Sequence, residues 1–254
     1  MLGKMSFDID LYEKQFLNDY QSGDFENTLT EYRKKKIKEI LKGYSTKNIL
    51  EIGCGMEPFF LVYQDFEKMT VVEPANAMYQ SAVKHRKEVL GDIECIHDFI
   101  ENRVDELKDK KFDFILLIGL IHEVEDPNRL MDAVNKLCSK DSYVLITTNN
   151  PYSFHLTLAY EAGMIPQLGI LTDKAKSFQR NSAFTMDEMK KLAQNHGFSV
   201  VEEGSYFIKP FSHGQMKKIV DNQLIGREVL DGLDGLTKYI PELGAENYCV
   251  ARLS

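Results

Sequence analysis

The sequence predicts an α/β chain built on a doubly wound sheet, and three observations carry that expectation. Strand-like apolar runs alternate with stretches of helical spacing over the first 150 residues, the rhythm that a mostly parallel sheet with helices on both faces produces. The first run, Asn48-Ile49-Leu50-Glu51-Ile52, stops at Gly53-Cys54-Gly55, as a buried strand entering a tight turn does. A second run, Met69-Thr70-Val71-Val72, ends on an acid, Glu73, twenty-two residues after Glu51. Glycines at the carboxyl end of a first strand let a ligand approach the backbone, and that edge is where open α/β sheets bind ligands.

Taken in order, residues 7–20 and 27–42 read as two helices broken near Gly23, the second carrying Leu29, Ile37, Ile40 and Leu41 on one face. After the glycine turn, Pro58 suits the first turn of a helix reaching about Phe66. A helix from about Ala75 to Val89 follows, then a third strand at Ile93–Ile96, with Asp98 as a candidate cap for a helix continuing to Leu107. Phe112–Gly119 is apolar on both faces, as a central parallel strand is. Asp126-Pro127 opens a helix through Leu137, and Ser142–Thr148 makes the fifth strand.

Between Asn149 and Ser182 the rhythm breaks in a stretch with Pro151, Gly163, Pro166 and Gly169, and insertions of this length at a sheet edge are typically lids or binding loops. Thr185 and Glu188 form a capping box for a helix that stops at His196-Gly197. Phe198–Phe207 is a sixth strand, residues 213–239 are helical with an interruption at Gly226, and Glu246–Arg252 is a last strand. The organisation expected is residues 1–44 as N-terminal helices, 45–149 as the ligand-binding half, 150–182 as a cap and 183–254 as the rest of the same sheet.

Composition narrows the partners. The 254 residues carry a formal net charge of -8, whereas a nucleic-acid partner calls for a basic stripe. The basic run Arg33-Lys34-Lys35-Lys36-Ile37-Lys38 reads as one solvated helix face. The longest apolar run, Phe114–Ile121, is too short to span a bilayer. Cys54, Cys95, Cys138 and Cys249 have neither Cys-x-x-Cys nor zinc-ligand spacing, which points to reduced thiols in a cytoplasmic setting; Cys54 is read as a small residue that fits its loop. The partners expected are a small-molecule acceptor with no nucleic acid and no membrane, a homodimer being left open.

The spacing of the turn excludes two ligands. A dinucleotide fingerprint needs a third glycine where this chain has Pro58, and a phosphate loop needs a following Gly-Lys-Ser/Thr that is absent. The remaining pattern, Glu51-x-Gly53-x-Gly55, resembles motif I of the class I S-adenosylmethionine-dependent methyltransferases, with Glu57 where that family usually has one more glycine. The resemblance covers residues 47–149 well and 183–252 by general pattern. It implies a Rossmann-like seven-stranded mixed sheet with an antiparallel last strand, N-terminal helices that close over the cofactor, and S-adenosyl-L-methionine as cofactor with S-adenosyl-L-homocysteine as product.

The cofactor would then lie on Glu51, Gly53, Cys54 and Gly55. Glu73, with Pro74 beside it, stands at the offset where an acid accepts hydrogen bonds from two ribose hydroxyls. The resemblance places an acid for the adenine amino group at Asp98, with Phe99 covering the ring; Asp98 as a simple helix cap is an equal reading. Gly119 ends the fourth-strand motif, and Leu120–Val124 resembles the loop where cofactor and substrate meet. Asn150-Pro151-Tyr152-Ser153-Phe154-His155 is similar to a segment of ubiquinone-pathway and sugar O-methylating enzymes.

Methyl transfer to an alcohol needs a base near neutral pH, and histidine is the usual choice. His122 and His155 follow the fourth and fifth strands and are the candidate bases. Phe59, Phe60, Tyr152 and Phe154, together with Tyr12, Phe16, Tyr20 and Tyr32 on the N-terminal helices, are aromatic candidates for ligand contact. Glu123, Glu125 and Asp126 read as capping acids before a helix rather than as Mg²⁺ ligands, so no metal is assigned. The function expected is methylation of a small polar acceptor, with O-methylation of a sugar or nucleotide-sugar in polysaccharide or natural-product biosynthesis ahead of N-methylation of an amino sugar or amine. A catalytically inactive cofactor-binding subunit, suggested by Glu57, and an unrelated nicotinamide oxidoreductase are the other readings.

Overall fold

The computed structural model describes residues 8–21, 25–169 and 183–254. Two helices, α1 (Ile9–Gln21) and α2 (Glu26–Leu41), precede the first strand, β1 (Asn48–Ile52). The chain continues through β2 (Lys68–Val72), α3 (Asn76–His85), β3 (Asp92–Ile96), a short α4 (Val104–Leu107), β4 (Phe114–Leu117), α5 (Pro127–Leu137) and β5 (Tyr143–Asn149). Then come α6 (Phe154–Glu161), α7 (Met186–Asn195), β6 (Phe198–Tyr206), α8 (His213–Asp221), α9 (Arg227–Gly235) and β7 (Glu246–Leu253).

The strands form one seven-stranded sheet in the order β3-β2-β1-β4-β5-β7-β6, with β7 antiparallel to both neighbours. The mixed α/β fold expected from the sequence is the one present. Alternate side chains feed opposite faces: Leu50, Ile52, Ile115, Leu117, Val144 and Ile146 pack with α5 and α7. Ile49, Met69, Val71, Phe114, Leu116 and Leu145 pack with α2 and α3. A third cluster joins Phe25, Leu29 and Tyr32 of the N-terminal segment to Phe207, Met216 and Leu230.

Two expected helices differ. Only a 3-10 turn, Phe59–Leu61, lies between β1 and β2, because Pro58 is extended (φ -51°, ψ 146°) and the crossover returns at once to the Glu67 and Lys68 amides, which both donate to the Lys47 carbonyl. After Asp98 the chain makes a 3-10 turn, Ile100–Asn102, and the single turn of α4 instead of a continuous helix. Elsewhere the caps are those expected: Asp126 accepts from the Asn128 and Arg129 amides at the start of α5, and Thr185 and Glu188 close a reciprocal capping box on α7. Of the stretch expected as a cap, residues 150–169 are described and 170–182 lie outside the described residues, as do residues 1–7.

Candidate active site

β1 is flanked by β2 on one side and β4 on the other, so the strand order reverses there and opens a crevice at the carboxyl ends. A cavity of about 1150 Å³ fills that crevice, roughly the upper end for a single ligand and large enough for a nucleoside cofactor with a small acceptor. Glu51, Gly53, Cys54, Gly55, Glu73, Pro74, Phe99 and Gly119 all line it, as do both His122 and His155. Asp98 is not among the lining residues.

The glycine turn needs its glycines. Gly53 (φ 72°) and Gly55 (φ 59°) are left-handed, a region that costs other residues steric energy. A Cβ on Gly53 would stand 2.9 Å from Leu120 Cδ1. Behind the turn, the buried Glu51 carboxylate accepts from the Phe59 amide through both oxygens, at 3.1 and 3.0 Å. Burial raises its pKa to about 8, with Glu73 adding to the shift.

Glu73 is also buried and accepts from Ala75 N at 2.8 Å and Gly55 N at 3.3 Å. Burial lifts it to about 7 against the lowering effect of those amides. Its carboxylate can still accept from two further donors. Burial pushes the Cys54 thiol well up, with both glutamates contributing, which leaves it a protonated packing residue at neutral pH. Asp98 accepts from Phe99 N (2.8 Å), Asn102 Nδ2 (2.7 Å) and Arg103 Nε (2.8 Å), so its carboxylate organises the turn after β3.

α1 straps this half of the cavity. Tyr12 OH donates to Glu123, Glu13 accepts from Ala77 N at 2.7 Å, and Tyr20 OH donates to Glu57 at 2.8 Å. Glu57, standing where motif I usually has a glycine, also pairs with Lys34 of α2. Of the eight aromatics singled out in the sequence, Tyr12, Phe16, Tyr20 and Phe59 line the cavity. Phe60 is buried in the core and Tyr32 packs on Phe207.

The two histidines differ. His122 is 5% exposed; Thr148 Oγ1 lies 3.0 Å from its Nδ1, and Asn149 Nδ2 is 3.5 Å and Glu123 Oε1 3.8 Å from its Nε2. Gly119 N donates to Thr147 Oγ1 at 2.8 Å, fixing the loop that carries His122 to β5. His155 Nδ1 is 3.0 Å from Ser153 Oγ. Burial, helped by Lys209 and His213, lowers its pKa to about 3, which makes it a weak base at neutral pH.

A charged cluster that sequence reading does not single out lines the same cavity. Arg33 Nε donates to Glu246 Oε2 at 2.8 Å and Nη2 reaches Glu246 Oε1 and, at 2.9 Å, Glu26 Oε1. His213 Nε2 lies 3.1 Å from Glu26 Oε2, and Lys209 Nζ 2.8 Å from His213 Nδ1. The basic run from Arg33 is therefore not one solvated face: Arg33 and Lys34 turn inward.

The cradle fits a nucleoside cofactor, since the backbone at Gly53 and Gly55 is bare and Glu73 offers acceptors at the end of β2. A family model described as a methyltransferase domain matches residues 25–203. No curated protein matches the chain. A Thermotoga maritima S-adenosylmethionine-dependent methyltransferase, named a possible histamine N-methyltransferase, superposes with a TM-score of 0.63 at 20% identity, covering 96% of this chain and 98% of its own. The plantazolicin methyltransferase BamL, solved with a triazolic desmethylPZN analog and SAH, gives 0.57 at 18% identity over 97% and 99%. The [4+2]-cyclase SpnF gives 0.56 at 11% over 87% and 80%; at these identities the structures show a shared fold. With its model spanning most of the described sheet, the chain belongs to the methyltransferase-domain family, as a class I enzyme whose cofactor is S-adenosylmethionine.

Proposed function

We propose that the chain methylates a hydroxyl of a small polar acceptor, a sugar or nucleotide-sugar being the class favoured from its sequence, with His122 as general base. The observation that carries this reading is the setting of His122: buried in the cavity wall, with Nδ1 on Thr148, and Nε2 facing Asn149 and Glu123. When bound, S-adenosylmethionine supplies a sulfonium methyl to the acceptor oxygen by in-line attack, the electron pair of the broken bond staying on sulfur. His122 Nε2 takes the hydroxyl proton, and the neighbouring Glu123 carboxylate favours the imidazolium that results.

In this reading Gly53, Cys54 and Gly55 give the cofactor its backbone cradle, Glu73 accepts from the ribose hydroxyls, and Pro74 and Phe99 bound the adenine side. Asp98 would act through the Phe99 turn. Residues 150–182 would serve as the cap, supported by Pro151, His155 and Leu156 in the cavity wall. A second reading, N-methylation of an amine, is supported by the number of acidic side chains in the lining and is in keeping with the name of the Thermotoga structure. An amine needs only a neutral lone pair, so it would not depend on His122.

Transfer of label from methyl-labelled S-adenosylmethionine into a panel of sugars, nucleotide-sugars and amines tests the function, and transfer to none of them removes it. Two variants test the roles. His122→Ala is expected to lower kcat by about 10²–10⁴-fold with cofactor binding retained, and His155→Ala to leave kcat within an order of magnitude. If neither slows turnover, the nucleophile is an amine or another group is the base. Glu73→Ala is expected to weaken cofactor binding by about 1–3 kcal/mol, measured by calorimetry; unchanged binding removes Glu73 from the ribose.

A further inference from the structure

Neither the cofactor cradle nor the candidate base draws on the charged cluster of the cavity wall, and the bonding pattern of that cluster is unequal. Arg33 is held in a two-pronged contact by Glu246, which also accepts from Tyr206 OH. Glu246 keeps only 4% of its side chain accessible, while Glu26 keeps 50%. Glu26, at the head of α2, is exposed and lines the cavity. One guanidinium thus bridges two carboxylates, and Glu26 is the one of the two that a ligand can reach.

His213 reinforces this placement. Lys209 Nζ can only donate, so His213 Nδ1 accepts and its proton sits on Nε2, directed at Glu26 Oε2. Glu26 therefore has one anchor on each oxygen, Arg33 and His213, and each oxygen retains a lone pair for another donor. Burial opposes its charge, but His213 and Arg33 outweigh this and hold the carboxyl well below the usual range. Lys209 stands behind His213 and is itself 2% exposed. A carboxylate fixed on both oxygens and still carrying spare acceptor sites is complementary to an ammonium group.

We propose that the methyl acceptor carries a protonated amine and that Glu26, positioned by Arg33 and His213, receives it. This rests on the cavity being a methyl-transfer site for a small acceptor. An ammonium held on Glu26 has its lone pair tied up in an N–H bond, so it is the handle and not the nucleophile. The attacked atom is a second group of the same molecule, beside His122. The substrate class is then an amino sugar, an amino alcohol or a diamine.

Mass-shift assays of the full chain with S-adenosylmethionine and matched pairs, glucosamine with glucose and ethanolamine with ethylene glycol, test it. The amine-bearing member of a pair is expected to be methylated at the lower KM. Glu26→Gln is expected to raise that KM by about tenfold or more with kcat and S-adenosylhomocysteine affinity unchanged, and Glu26→Asp to recover part of the loss. Methylation of the amine-free members at equal or lower KM overturns the proposal, as does a KM that E26Q leaves alone. Methylation of none of the four, with S-adenosylhomocysteine still bound, overturns both the amine handle and the small-acceptor reading beneath it.

Discussion

Replacing Arg33 by methionine is expected to destabilise the folded chain by about 3–5 kcal/mol, the cost of leaving a buried carboxylate without its cation. The guanidinium bridges α2 and the first residue of β7, holding the N-terminal helices against the far half of the sheet. Methionine fills much of the same volume but supplies no donor, so Glu246 keeps only Tyr206 OH and Glu26 keeps His213. Adding Glu246→Gln to Arg33→Met removes the stranded charge and is expected to restore most of the loss. Urea unfolding at pH 7 reads both. A loss below about 1 kcal/mol for Arg33→Met would place the pair with surface ion pairs and contradict its burial.

The same residue marks where sequence reading stops. Apolar runs reveal the strands because a parallel sheet covered on both faces needs them, and the glycine turn and the acid ending β2 are legible because backbone approach and hydroxyl recognition demand those residue types at those places. Arg33 was legible in part: it is spaced four residues from Leu29 and from Ile37, both buried, so it falls on the apolar stripe of α2 rather than on its wet face. Its partner was not legible, since Glu246 lies 213 residues away and no local rule links a helix near the amino terminus to the entry of the last strand. The segment after Gly55 misleads for a different reason. Pro58 suits a helix start, but its extended backbone leads only into the 3-10 turn Phe59–Leu61, whose Phe59 amide is held by Glu51. Glu57 reads as a loss when set against motif I, yet its carboxylate ties Tyr20 and Lys34 to the turn, contacts that a glycine could not make.

Glu51→Gln is expected to make the cofactor-free protein more stable at alkaline pH, with a gain over the wild type that grows between pH 5 and pH 9. Glu51 has a folded pKa of about 8 against an ordinary value of 4.5, so the folded chain holds a proton that the unfolded chain gives up. That contribution is fully present below about pH 4.5 and is lost as pH rises through about 8, because the folded state must then either ionise a buried carboxyl or unfold. Glu73, raised to about 7, acts in the same direction, and the two neighbours release their protons as a coupled pair. A glutamine keeps an acceptor for the Phe59 amide and cannot ionise, so the variant escapes up to roughly 4 kcal/mol of the alkaline loss. Urea midpoints at pH 5 and pH 9 provide the measurement. A difference between variant and wild type that stays constant across that range would mean Glu51 is already charged at pH 5. The turn at Gly53 would then rest on an ionised carboxylate stabilised by the Phe59 amide and Lys34, reversing the balance that burial otherwise sets.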